Sequence, residues 1–281
     1  MAKVAIVTDS TANIPDALLA QYQIHSVPQM VIWDGISYRD GIDIQPAEFY
    51  SRLANSKTMP TSSQVSPLTF KTIFSELIEQ GYHVLCIVIS SDLSGTLLSA
   101  IQAKEMLPNM PIELVDSRST AMAMGFQILS AARAAEAGAS LQECRAITED
   151  AMARTGVMFV VDTLEFLHRG GRIGGASRFL GTALGLKPIL EIQQGKIAAV
   201  ERVRTQAKAF ERLIQLVGQR INGSDKVSIS TLHANAPQQA LQVMKLATDA
   251  FHPIETLSTE VSPVIGTHTG PGTIGICYMV E

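Results

Sequence analysis

Six consecutive apolar residues, Val84-Leu85-Cys86-Ile87-Val88-Ile89, constrain this chain more than any other stretch. A run of that length suits a strand, and with no polar residue in alternation both of its faces must be covered. That is the position of a middle strand in a parallel sheet with helices on each side. The flanking segments agree. Residues 4–7 form a second short apolar run, followed by a helix expected to open near Asn13-Ile14-Pro15. Ser66-Pro67 is a good helix start, because proline is tolerated in the first turn. Phe70, Ile73, Phe74, Leu77 and Ile78 then recur at helical spacing, and Gly81 ends the helix. A further helix after Leu93 carries Leu97, Leu98 and Ile101. A strand over 112–115 and an alanine-rich helix follow, and Ser140-Leu141-Gln142-Glu143 has the spacing of a capping box.

The rhythm changes after about Gly156. Residues 157–161 read as a strand and 164–168 as one or two helical turns. Two strands, 189–192 and 197–200, flank Gln194-Gly195 in the manner of a hairpin. Helices over 206–220 and 237–250 then alternate with strands over 227–232, 254–257 and 274–280. At 281 residues the chain has room for two domains of roughly 150 residues each. The expected fold class is α/β in two domains. Residues 1–154 form a three-layer unit with a mainly parallel sheet, and residues 155–281 a two-layer unit with a mixed sheet.

The net charge of −4 carries no global nucleic-acid footprint, so no nucleic-acid partner is expected. Cys86, Cys144 and Cys277 are isolated thiols without a C-x-x-C pair, which favours a reducing compartment and buried structural roles. The start of the chain runs from a short apolar stretch straight into Thr8-Asp9-Ser10, too short for a signal peptide. Apolar runs elsewhere are strand-sized, so stable membrane insertion is not expected and a cytoplasmic location is.

Ligands of open α/β sheets sit beyond the carboxyl ends of the strands. Three polar segments fall there: Thr8-Asp9-Ser10-Thr11, Ser90 to Thr96, and Asp116-Ser117. Two hydroxyl-rich stretches, Pro60-Thr61-Ser62-Ser63-Gln64 and Ser90-Ser91-Asp92-Leu93-Ser94-Gly95-Thr96, each look like a turn before a helix. A helix start offers unpaired N–H groups and the positive end of a dipole, and the hydroxyls add neutral donors. Thr61, Ser63, Ser94 and Thr96 are therefore the leading candidates to hold an anion. The plainer role for each is helix capping or turn formation.

Gly170-Gly171-Arg172-Ile173-Gly174-Gly175 is the densest glycine cluster. It matches neither a P-loop nor G-x-G-x-x-G, so it is weak as a nucleotide signature. Arg169, Arg172 and Arg178, with Arg202 and Arg204 downstream, would form a basic patch if the two groups meet, suited to phosphate or an acidic partner. His268 stands in the loop Thr267-His268-Thr269-Gly270-Pro271-Gly272-Thr273, where it can donate to an anion or shuttle a proton. The other histidines show no metal-ligand spacing. Met106, Met110, Met122, Met124, Met152 and Met158 are candidates to line an apolar cavity, though core packing is their commoner use. An enzyme reading, as a phosphotransferase or a hydrolase with Ser94 as nucleophile and His268 as base, lacks a P-loop, a G-x-S-x-G elbow and a carboxylate to orient the histidine.

In order along the chain, several segments together resemble the DegV family. They are Val7-Thr8-Asp9-Ser10-Thr11, Pro60-Thr61-Ser62-Ser63-Gln64-Val65-Ser66-Pro67, Ser91-Asp92-Leu93-Ser94-Gly95-Thr96 and Val115-Asp116-Ser117-Arg118. Further on come Leu164-Glu165-Phe166-Leu167-His168-Arg169-Gly170-Gly171-Arg172-Ile173, Leu186-Lys187-Pro188-Ile189-Leu190 and His268-Thr269-Gly270-Pro271-Gly272-Thr273. The resemblance implies two α/β domains and a long-chain fatty acid such as palmitate buried near their junction, with no cofactor and no catalysis by the chain alone. It implies that Thr61 and Ser94 hold the carboxylate with His268 nearby. It further implies that the acid is presented to the catalytic subunit of a separate fatty acid kinase, with Arg172, Arg204 and Arg169 toward phosphate or the partner. Val65, where the family more often has proline, and Ala121-Met122-Ala123-Met124-Gly125, in place of Ser-Met-Gly-x-Gly, depart from the pattern.

Overall fold

The computed structural model describes residues 2–181 and 185–281. In chain order the first half comprises β1 (Val4–Asp9), α1 (Asp16–Gln21), β2 (His25–Val27), β3 (Met30–Trp33), β4 (Ile36–Arg39), α2 (Pro46–Asn55) and β5 (Thr61–Ser63). It continues through α3 (Pro67–Glu79), β6 (His83–Val88), α4 (Thr96–Glu105), β7 (Ile112–Asp116), α5 (Ala121–Glu136) and α6 (Leu141–Arg154). The second half comprises β8 (Thr155–Val160), α7 (Glu165–Arg169), β9 (Lys187–Gln193), β10 (Lys196–Val203), α8 (Gln206–Ile221) and β11 (Val227–His233). The last elements are α9 (Pro237–Phe251), β12 (Glu255–Glu260), α10 (Pro263–Thr269) and β13 (Ile274–Val280).

Strands β2-β1-β6-β7 form an all-parallel sheet. The apolar run of β6 is covered on both faces, as its composition requires. Val84, Cys86 and Val88 pack toward α3 and α4, while Leu85, Ile87 and Ile89 pack toward α5. From β1 the chain moves to β2 on one side and later to β6 on the other. The switch point of the sheet therefore lies at the carboxyl ends of β1 and β6.

The second sheet is mixed and six-stranded, in the order β10-β9-β8-β13-β11-β12. Helices α8 and α9 cover one face through Phe210, Leu213, Val243 and Ala247. The other face, with Val157, Phe159, Leu190 and Cys277, packs on α5. Helix α5 is thus apolar on nearly every side because it lies between the two sheets. The C-terminal unit has its own two layers, and a helix from the first half closes its open face.

A third, antiparallel sheet, β4-β3-β5, lies outside the pattern the sequence predicts. Its strands have three or four residues, too few to display a period. What holds it is tertiary. Val31 and Trp33 are fully buried, and the Trp33 and Phe49 rings meet edge to face at 5.4 Å. Residues 61–63 are consequently strand, not the expected turn, and α3 begins four residues later, capped by Ser66. The hairpin at Gln194-Gly195 is present, both residues having positive φ as a two-residue loop requires. Cys86, Cys144 and Cys277 are buried free thiols. Among the described residues, no helix is long and apolar enough to cross a membrane.

Candidate functional site

Register decides which hydroxyl of the 60–64 stretch can act. In the β3–β5 pair, Ser62 faces Val31, while Thr61 and Ser63 face Ile32 and Met30. Directly opposed residues share a face of the sheet and successive residues alternate. Val31 has no exposed surface, so Ser62 is carried inward with it, while Thr61 and Ser63 point to the opposite face. Thr61 is exposed. The hydroxyl turned inward is therefore that of Ser62, displaced by a single residue from the expected Thr61 and Ser63 along a strand of period two.

Ser62 meets His268 across the molecule, Oγ to Nε2 at 2.7 Å. His268 does not stand in a loop. It occupies the last turn of the short helix α10, which Gly270 terminates. The helix is positioned by Asp40, whose Oδ1 accepts from the Val264 N–H at 3.0 Å, and by the Tyr50 hydroxyl, which donates to the Val261 carbonyl at 3.1 Å. Burial pushes the His268 imidazole down to about 4, with the nearby Arg172 charge adding to the effect, so the ring is neutral at neutral pH. Its Nδ1 is buried without a hydrogen-bond partner among the described residues.

The second hydroxyl-rich stretch arrives beside the first. A Cβ on Gly95 would lie 2.7 Å from Gln64 Nε2, the tip of a flexible side chain, which puts the start of α4 in close contact with that stretch. Ser94 precedes this helix, whose first turn has no side-chain cap. Thr96 is the first helical residue; it is fully buried, and its Oγ1 lies 2.9 Å from Ser94 Oγ. Thr96 thus supports Ser94 from behind.

Ser62, Ser94, His268 and Arg172 together line one cavity. Thr61, Ser63, Thr96, Arg169 and Arg204 do not line it. Its remaining wall is mostly aliphatic and comes from both halves: Ile89, Leu93 and Ala121 from the first, Val157, Phe159 and Leu232 from the second, with Ile192 and Ile197 from the hairpin. None of the six candidate methionines lines it. Met122, Met124 and Met158 are core, and Met106 and Met110 lie on the surface.

Arg172 departs most from expectation. Its Nε donates to the Leu93 carbonyl at 3.1 Å and Nη1 to the Gly170 carbonyl at 2.7 Å. Among the described residues it pairs with no carboxylate. An anion entering the cavity therefore meets an oriented positive charge as well as hydroxyls and a helix start. Gly170 and Gly174, on either side of Arg172, are closely approached by neighbouring groups. A Cβ on Gly170 would come within 2.2 Å of His268 Nδ1, and one on Gly270 within 2.3 Å of the Phe166 ring.

The remaining arginines lie outside the cavity. Arg169 pairs on the surface with Glu165 at 2.6 Å, and Arg204 is exposed after β10. The two basic groups do meet, because Arg178 and Arg202 stack on the Phe179 ring at 5.2 and 4.7 Å from its centroid.

The expected convergence of polar groups at the strand ends is present, but its carboxylates are structural. Asp9 accepts from Thr11 N–H (3.0 Å), Thr11 Oγ1 (2.5 Å), Gln29 Nε2 (3.0 Å) and Ile89 N–H (2.9 Å), tying the end of β1 to the end of β6. Burial raises its carboxyl above the ordinary range, and these four bonds oppose the shift. Asp116 accepts from the Ser91 hydroxyl at 2.5 Å.

Comparison with known proteins bears on this geometry. A DegV domain-containing protein of Listeria innocua is 35% identical over 280 residues, 99% of each chain. Protein DegV of Bacillus subtilis is 33% identical over 276 residues, 98% of each. Among solved structures, a DegV family protein of Thermus thermophilus described for its fatty acid binding superposes with a TM-score of 0.94 at 34% identity, covering 99% of this chain and 100% of that one. The Bacillus subtilis DegV structure, described as a fatty acid binding protein, gives 0.91 at 32% identity over the full length of both. A stearic acid-binding protein of Eubacterium ventriosum gives 0.92 at 28%, covering 100% of this chain and 98% of that one. The family model described as "Uncharacterised protein, DegV family" matches residues 3–281, and the chain belongs to that family.

Proposed function

We propose that this chain binds a long-chain fatty acid such as palmitate, its tail among the aliphatic walls and its carboxylate at Ser62, Ser94, His268 and Arg172. One observation carries the reading: a guanidinium without a carboxylate partner among the described residues lines, with two hydroxyls, a cavity whose remaining wall is mostly aliphatic. The fatty-acid binding described for relatives of the same fold supports it. Burial of a C16 chain contributes roughly 11 kcal/mol at about 0.8 kcal/mol per methylene. Association entropy opposes it by about 4–15 kcal/mol. The head group must therefore be well satisfied for binding to be tight.

The same proposal makes the protein a cytoplasmic carrier rather than an enzyme, presenting the acid to a separate fatty acid kinase. Arg178 and Arg202 around Phe179, with Arg204 and Arg169, supply a basic surface for that partner. The two domains are taken as residues 1–154 and 155–281, with the acid between them.

Denaturing solvent extraction of the purified protein, followed by mass spectrometry, is expected to release C14–C18 acids. Added fatty acid kinase and ATP are expected to convert the bound acid to its acyl phosphate. An extract free of lipid, together with no titratable fatty-acid binding, overturns the reading.

A further inference from the structure

Behind the acyl cavity lies a second cleft, and the two share Val157 and Ile192 as walls. Strand periodicity explains why the two adjoin. Thr155, Val157 and Phe159 alternate onto one face of β8. Phe159 lines the cavity, Thr155 lines the cleft, and Val157 touches both. Helix α5 repeats that order on the opposite wall, with Ala121 at the cavity and Gln127 at the cleft.

The lining turns polar beyond Val157, with Ser117, Thr155, Gln127 and Tyr278, and the charged Arg118, Glu149, Glu191 and Arg220 also line the cleft. Gln127 is only 1% exposed. Its Nε2 donates to the Thr155 hydroxyl at 2.9 Å and the Ser117 carbonyl at 3.3 Å. Its Oε1 is buried and accepts from no group among the described residues. A buried amide oxygen without a donor is destabilising, so native structures rarely leave one unsatisfied. A hydroxyl both donates and accepts, and so suits this amide in either orientation.

We propose that the acyl site continues past Val157 and Ile192 and takes long-chain acids bearing a hydroxyl at or near the methyl end, which donates to Gln127 Oε1. This rests on reading the first cavity as the acyl site. In a dry blind cavity the same hydroxyl would lose its water without replacement, and the acid would be rejected.

The test is calorimetric titration of the delipidated protein with palmitic acid and with its ω-hydroxy derivative. Both are expected to bind, with affinities within about tenfold of each other. Gln127→Met is expected to weaken the hydroxy acid by about tenfold while palmitic acid stays within about twofold. Gln127→Asn, shorter by one methylene, serves the same comparison if the first variant does not fold. Binding of palmitic acid with the hydroxy acid about a hundredfold weaker or worse overturns the proposal. Equal losses for both acids in the variant overturn it as well. Failure of palmitic acid itself removes the underlying acyl site, and this extension falls with it.

Discussion

Ser62 and His268 stand 206 residues apart in sequence, yet Ser62 Oγ lies 2.7 Å from His268 Nε2 in the wall of a mostly aliphatic cavity. The contact joins a three-residue strand of the small sheet to a short helix beside the large mixed one. A neutral imidazole of this kind orients the serine hydroxyl rather than taking its proton, since a group held near 4 is a weak base.

Replacing Ser62 by Ala is expected to weaken fatty-acid binding by about tenfold, the loss of one hydrogen bond to a charged group. Thr61→Ala, on the exposed face of the same strand, is expected to stay within about twofold. Competition against a fluorescent fatty acid measures both. Equal effects in the two variants would place the head group elsewhere.

Gly170→Ala directs a methyl group at the His268 ring, where a Cβ would sit 2.2 Å from Nδ1. Backbone on one side and a buried ring on the other leave little room to give, so the ring must move. Affinity is expected to fall by about tenfold or more, with a loss of about 1–3 kcal/mol in chemical denaturation. Unchanged binding would mean that the position of His268 is immaterial to the ligand.

The pH dependence of stability carries a signature of His268. Its folded-state value is about 4 against an ordinary 6.5, so unfolding takes up a proton between those limits. The contribution of this residue is present above pH 6.5 and is lost as pH falls toward 4, at up to about 1.4 kcal/mol per pH unit. Asp9 and Asp40 tilt the opposite way, because burial raises both carboxyls and favours their protonated, folded form as pH falls. The difference between the wild type and His268→Gln, in denaturant melts across pH 4–7, isolates the histidine. Parallel curves would contradict its buried, neutral state.

Asp9→Asn exchanges a carboxylate with four donors around it for an amide that must turn an N–H toward at least one of them. A loss of about 2–4 kcal/mol in folding stability is expected, with the end of β1 released from the end of β6. Retention of full stability would show that the side chain is already protonated and spends little on these bonds.

Sequence alone determined the central strands of the parallel and the mixed sheet and the helices that cover them, but not the small antiparallel sheet. Val84 to Ile89 has no polar residue, so β6 had to be buried on both faces, and the structure divides its side chains between two helix layers. The hairpin at Gln194-Gly195 and the caps at Ser66 and Ser140 were legible because each depends on local backbone chemistry. Tertiary structure decided which hydroxyl turns inward, because the register of β5 is set by pairing with β3 and by the burial of Trp33 against Phe49. It also brought Arg172 to the cavity, through carbonyls of Leu93 and Gly170 that lie on different halves of the chain. Spacing along a sequence reports periods within one element, whereas a head-group site is made where separate elements meet. That meeting depends on packing over hundreds of residues, which no local pattern encodes.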